Sequence, residues 1–270
     1  MAMTAPILHA VRARGEIMLR VRPVHFTSRM EEWEQLFTDL GMVKTLDDGN
    51  WREFDAASGR IALQHTPADA GNDGTTSLAV EVGDVEEFAR RTNLAGSEMG
   101  NTPAELIPAD VGDSCRITGG DGFTFVADKA THWAQCADAD TGLAVVGVWF
   151  TEDTAGATAT LSSIGARFRP VPDADETADF TAKNGGVLMV RPGSGPARSG
   201  FGFEYDGDLD ALRQRLTSAG HKVTLTEEAF SRSLHVANPD TAAKPDAGGR
   251  QAGPHIPPTI WISKRAPLGR

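Results

Sequence analysis

Seven histidines and two cysteines give this 270-residue chain its broadest metal-binding and nucleophilic repertoire. Their spacing assembles no familiar site. Cys115 and Cys136 are too few for a metal or disulfide framework and fit a reducing compartment. There is no Gly-x-Ser-x-Gly elbow and no Cys–His pair to suggest nucleophilic catalysis. GSGPARSG at 193–200 lacks the Gly-Lys-Ser/Thr ending of a phosphate loop and reads as a flexible linker. His25 stands within a strand and His65 at a strand end. His235 and His255 flank a long Pro- and Gly-rich stretch, and their approach would make His235 a weak catalytic candidate. Glu81 is the other, because it shares a strand face with Ser77 and Ala79, and a carboxylate on an inward face must be paired or hydrogen-bonded. Aromatic residues are the remaining resource: Trp51 and Phe54 early in the chain, then Trp149, Phe150, Phe201, Phe203, Tyr205 and Trp261. Strand aromatics are usually core, yet grouped around a cavity they hold a planar apolar ligand by stacking and burial.

The elements that must position these residues recur. SLAVEVGDVEEFARR at 77–91 reads as a strand that stops at Asp84 and turns into a helix, with Asp84 as N-cap and Glu87 three residues on. SRME follows VRPVHFT, EDTAG follows LAVVGVWF, and GDLDALRQRL follows FGFEY in the same way. Asp84 lies 56 residues after Ser28, and Asp208 lies 55 after Asp153. The glycines expected to stop the helices agree: Gly165 lies 124 residues after Gly41, and Gly220 lies 124 after Gly96. Trp33, Leu36, Phe37 and Leu40 share one helical face, as do Leu209, Leu212 and Leu216. Short strands follow each helix, split by turns at Ala57–Gly59 and Gly119–Gly122. The helix TAGATATLSSI is weak by propensity and is expected from its place in the repeat. The stretch 238–258 is long enough to be functional or disordered. The chain is therefore one strand–helix–strand–strand unit repeated four times.

A net charge of −11 argues against general affinity for nucleic acid or anionic membrane. No apolar run approaches the roughly 20 residues needed to span a bilayer, and the N-terminal stretch lacks a signal-peptide core. A cytoplasmic protein is expected. Met18 is a candidate alternative start, and residues 1–17 are expected to be a loosely held extension.

The four units resemble the βαβββ modules of the vicinal oxygen chelate superfamily, which includes glyoxalase I, bleomycin-resistance proteins and extradiol dioxygenases. VHFTSRMEEWEQLFTDLGM, SLAVEVGDVEEFARR, FGFEYDGDLDALRQRLTSAGHKV and the turns GGDGFTF and ANPD carry the likeness, over roughly residues 19–265. It implies an α+β fold in which pairs of modules form cupped sheets: one domain at 18–130, a linker at 131–142 and a second domain at 143–265. In metal-dependent members a His heads each module's first strand and a Glu stands in the closing strand. The matching positions here are Arg22, Ser77, Val146 and Phe201, with Val126 and Trp261 in the closing strands. None is a usual ligand, so no metal or other cofactor is expected, a divalent ion being the less favoured alternative. Arg22 would then partner Glu81 inside the first cup.

The expected function is binding of a small, aromatic or polyketide-like molecule, with Arg22, Trp51, Ser77, Glu81, Trp149, Phe201, Phe203 and Trp261 as candidate contacts. One rival is a metal-dependent lyase or dioxygenase with ligands rearranged among His25, His65, Glu81 and His235. A second is a structural or partner-binding protein with filled cups. No nucleic-acid or membrane partner is expected, and a homodimer stays open.

Overall fold

The computed structural model describes residues 18–99, 103–109, 112–132, 138–170, 176–228, 231–241 and 256–265. The N-terminal extension, Cys136, most of the 238–258 stretch and His255 lie outside them. No described helix is long and apolar enough to cross a membrane.

The first unit contains β1 (Leu19–Val21), β2 (Val24–Thr27), α1 (Met30–Asp39), β3 (Val43–Asp47), β4 (Trp51–Asp55) and β5 (Arg60–His65). The second contains β6 (Thr76–Ser77), β7 (Ala79–Val82), α2 (Val85–Met99), β8 (Ala104–Ala109), β9 (Gly112–Thr118) and β10 (Thr124–Lys129). In the third are β11 (Leu143–Thr151), α3 (Thr154–Ser163), β12 (Arg167–Arg169), β13 (Ala178–Thr181) and β14 (Val187–Pro192). The fourth has β15 (Arg198–Tyr205), α4 (Leu209–Ser218), β16 (Val223–Glu228), β17 (Ser231–Ala237) and β18 (Thr259–Lys264), with a single 3₁₀ turn at Pro239–Thr241.

The last two units share one eight-stranded sheet, ordered β12-β13-β14-β11-β15-β18-β17-β16. The first two make two five-stranded sheets, β1-β7-β10-β9-β8 and β3-β4-β5-β2-β6. The difference arises in the opening strands. Pro23, which has no N–H to give a ladder, separates β1 from β2, and Leu78 separates β6 from β7. Each opening strand is thereby shared between two sheets, whereas β11 and β15 run unbroken.

Helix ends follow local chemistry. Asp84 accepts from the Glu87 amide at 2.9 Å, Asp153 from Gly156 at 2.9 Å and Asp208 from Asp210 at 2.8 Å. The first helix departs from the pattern. Its N-cap is Arg29, with no side-chain cap, while the Ser28 amide and hydroxyl are held by Asp73. Gly41 and Gly165 close their helices at φ 85° and 87°, a left-handed turn suited to glycine. Gly96 does not act as a stop, because α2 runs on to Met99. In α3, hydroxyls compensate for weak propensity by bonding carbonyls four residues back: Thr160 to Gly156, Ser162 to Thr158 and Ser163 to Ala159, at 2.9–3.0 Å. β8 is an edge strand that the sequence pattern does not announce, and its Pro108 is tolerated there.

Both large apolar clusters draw on both halves of the chain. One joins Leu78, Val80, Phe88 and Phe125 to Trp149, Leu161, Phe180 and Leu188. The other joins Trp33, Phe37 and Phe54 to Phe203, Leu212 and Leu234. Apolar side chains on one face of each strand feed these cores, and the alternate residues face into the two cups. Cys115 is buried in the first cluster. Burial, with help from Glu105, pushes its thiol up to about 11, so it stays protonated and unreactive. Iodoacetamide at neutral pH is expected to label Cys115 only after denaturation, as read by mass spectrometry of native and unfolded samples.

Candidate functional site: one filled cup and one open cup

The inner face of the first cup carries Arg20 and Arg22 on β1 and its extension, Glu53 and Asp55 on β4, Arg60 on β5, Glu81 on β7 and Asp128 on β10. Arg60 is wholly buried. It donates to Asp55 at 2.6 Å, Glu53 at 2.8 Å and Glu81 at 3.1 Å, and also meets His132. Arg20 holds Glu81 at 2.5 Å, and Arg22 pairs with Glu53 at 3.3 Å and with Asp128. Burial disfavours the charge on Arg60, but the Asp55 hydrogen bond and the neighbouring Glu81 and Glu53 outweigh it and raise its pKa. Charges so enclosed persist only when paired. Trp51 lies across this network, with its ring under Arg22 at 5.3 Å and its indole N–H 3.3 Å from Glu53.

Corresponding positions in the second cup follow from strand register. Arg20 faces Glu81, which is flanked by Asp128; Ala144 faces Glu204, which is flanked by Ser263. Ala62 lies between Val24 and Glu53; Met189 lies between Val148 and Asp179. Arg20, Arg22 and Arg60 thus correspond to Ala144, Val146 and Val187. Three guanidinium side chains are exchanged for small apolar ones, and space opens. A cavity of about 250 Å³ is lined by Val148, Phe150, Met189, Arg191, Trp261 and Ser263. A second, of about 480 Å³, shares Val148, Phe150 and Trp261 with it and continues past Phe123, Arg198 and Thr259. Gly202 makes room for Trp261, since a Cβ there would lie 2.4 Å from the indole. Below the cavity Arg169 binds Glu204 at 2.5 Å and Asp179 at 2.9 Å, and these pairings raise its pKa.

No family model matches the sequence, and no curated protein matches it significantly. Solved structures do match in shape. Homoprotocatechuate 2,3-dioxygenase from Arthrobacter globiformis aligns with a TM-score of 0.55 at 15% identity, over 91% of this chain and 78% of that one. An extradiol ring-cleaving dioxygenase from B. fuscum gives 0.56 at 14% identity, over 91% and 70%. The Mn(II)-bound glyoxalase from Novosphingobium aromaticivorans gives 0.55 at 11% identity, over 93% and 81%. The chain has the vicinal oxygen chelate fold. At these identities the likeness describes architecture alone, and chemistry must come from the site. A metal of the kind named for that glyoxalase needs a donor set. Among the described residues, no three His, Cys, Asp or Glu side chains group to hold one. Glu81 is committed to arginines. His65 is exposed at the end of β5, and His235 lies 3.4 Å from the Thr259 hydroxyl. The described residues do not make a conventional divalent centre.

The anticipated contacts divide accordingly. Trp261 lines both parts of the cavity, and Ser77 and Phe201 line the larger part. Arg22, Glu81 and Trp51 belong to the filled cup. Arg22 is a secondary partner of Glu81, 3.9 Å away, because the register sets Arg20 directly opposite. Trp149 and Phe203 are fully buried on the helix-facing side and line neither part of the cavity; Trp149 donates to Asp121 at 3.2 Å. Counting seven residues back from Asp208 reaches Phe201. The residue in register with Ser77 is Gly200, however, since Val24 pairs with Ser77 and Val148 with Gly200. The segment read as a linker already contains β15, where Arg198 and Ser199 pair with Phe150 and Trp149. His25 faces the helix side, as its place in the alternation implies. It meets Trp33 edge-on, centroids 4.5 Å apart, and binds Asp240 at 2.8 Å. Val148, Met189, Arg191, Arg198 and Ser263 were not among the expected contacts, and Phe150 was named only with the strand aromatics. Alternation along β11, combined with the inward position of Trp261, was the signal that could have found Val148 and Phe150.

Proposed function

We propose that this protein binds a small, planar, largely apolar molecule, aromatic or polyketide-like, in its second cup and without a conventional metal centre. The supporting observation is the contrast between cups. Arg20, Arg22 and Arg60 close the first, while Ala144, Val146 and Val187 leave the second open beneath Val148, Phe150 and Trp261. Those apolar and aromatic walls favour burial of a ring, and a few polar groups fix its orientation.

A thermal-shift screen of aromatic and polyketide-like compounds is expected to yield ligands that stabilise the chain. Trp261→Ala is expected to weaken those ligands by roughly tenfold or more, as truncation of a central aromatic contact does, with affinities read by calorimetry. Compounds that never stabilise the protein, or hits indifferent to Trp261→Ala, would remove this reading.

A further inference from the structure

We infer that the ligand of the second cup is an anion, its acidic group held by Arg191 and Ser263 in the smaller part of the cavity. The inference rests on the small-molecule reading above and adds the ligand's charge class. The chain has 37 acidic and 26 basic residues, yet neither cavity wall contains an Asp or Glu among the described residues. Each part instead carries one arginine, Arg191 in the smaller and Arg198 in the larger.

The two cups differ in charge balance. In the filled cup four carboxylates (Glu53, Asp55, Glu81, Asp128) face three arginines (Arg20, Arg22, Arg60). Beneath the open cup two carboxylates, Asp179 and Glu204, face three arginines, Arg169, Arg191 and Arg265. One positive charge beside an apolar cavity is therefore in excess among the described groups, carried by the partly exposed Arg191 and Arg265, and it favours an anion there.

Arg191 is the group placed to receive it. Its Nη1 donates to Asp179 at 2.7 Å and to the Val190 carbonyl at 2.9 Å. The acceptor for Nη2 is the Met189 thioether sulfur at 2.9 Å, a weak partner for a guanidinium. Ser263, on the same wall, occupies the place that Asp128 takes in the first cup. Replacing a carboxylate by a hydroxyl removes the repulsion an anionic ligand would meet and supplies a donor. A carboxylate, phenolate or sulfonate could bridge Nη2 and the hydroxyl, with its ring system against Val148, Phe150 and Trp261. Arg198, which lies over the Phe150 ring at 4.9 Å, would then cover the other end.

Two fluorescent probes with one aromatic body separate charge from shape: 1-anilinonaphthalene-8-sulfonate and the neutral N-phenyl-1-naphthylamine. Titrated into the full-length chain, the sulfonate is expected to bind roughly tenfold or more tightly, as a charge-assisted contact provides. Arg191→Met should remove that preference and leave the amine within about twofold of wild type, since an uncharged ligand makes no charge-assisted contact. Ser263→Ala should reduce sulfonate binding severalfold, and it carries the test if Arg191→Met lowers the melting temperature too far. Equal wild-type affinity for both probes, each weakened by Trp261→Ala, would overturn the anion assignment and leave the cavity reading standing. A preference abolished by Arg198→Met but kept in Arg191→Met would overturn the assignment to Arg191. Failure of both probes to bind, or binding insensitive to Trp261→Ala, would overturn the cavity reading as well.

Discussion

Arg60→Leu is expected to destabilise the fold by about 3–5 kcal/mol, the range for breaking a buried ion pair from one side. Arg60 is 0% exposed and contacts Asp55, Glu53 and Glu81 together. Leucine would fill part of the volume but leave three carboxylates facing one another across the first cup. Arg20 and Arg22 could not compensate, since Arg20 is committed to Glu81 and the His132 carbonyl and Arg22 to Glu53 and Asp128. Urea unfolding of wild type and variant measures the cost. A loss under about 1 kcal/mol, the range of exposed pairs, would mean that water reaches the network and that the first cup is not closed.

Asp240→Ala should cost about 3 kcal/mol by the same logic, with hydrogen-bond donors rather than acids left unpaired. Asp240 sits in the 3₁₀ turn after β17 and is 2% exposed. It accepts from Thr27 at 2.6 Å, His25 at 2.8 Å and the Trp33 indole at 3.0 Å. One carboxylate thus ties the end of the chain to β2 and α1. Burial raises its pKa, but hydrogen bonds from His25, Thr27 and Trp33 overcome this and hold it below the ordinary aspartate value. A depressed folded-state pKa contributes stability that is fully present above the unfolded value and disappears as pH falls through the folded one. Asp240→Asn should therefore be less stable than wild type at pH 6, with the gap closing below about pH 4. Urea midpoints across that range read it directly. A gap independent of pH would show that the charge of Asp240 contributes nothing.

Much of this architecture is legible in residues whose effects are local. Asp84, Asp153 and Asp208 cap helices because a carboxylate there meets free amides, and Gly41, Gly165 and Gly220 stop them because φ is positive. Gly96 fails as a stop for the complementary reason: a glycine without positive φ is tolerated inside a helix, and Asn93 ties α2 to Ala104 through paired bonds of 2.8 Å. Alternation along 77–82 separates Glu81 from Leu78, Val80 and Val82, and the structure keeps that division. Partner choice across strands was less accessible. Whether Arg20 or Arg22 meets Glu81 depends on a register that a one-residue shift would reverse. The added residue in Tyr205-Asp206-Gly207-Asp208 produced such a shift at Phe201 and Gly200. Trp149 shows the same limit, because its ring belongs to a core built by packing α2 and α3 together, which no single stretch reveals. The open cup was hidden for a related reason. It is defined by small residues, Ala144, Val146, Val187 and Gly202, whose role is apparent only beside the arginines that fill the corresponding positions of the other cup.

The first cup is closed by its own ion pairs, and the proposed ligand enters the second. A crystal structure of the chain soaked with 1-anilinonaphthalene-8-sulfonate tests it most directly. The predicted density places the naphthalene between Phe150 and Trp261 with the sulfonate at Arg191, and leaves Arg60 bound to Asp55, Glu53 and Glu81. Dye lying among Arg20, Arg22 and Arg60, or a second cup occupied by its own side chains, would contradict the account.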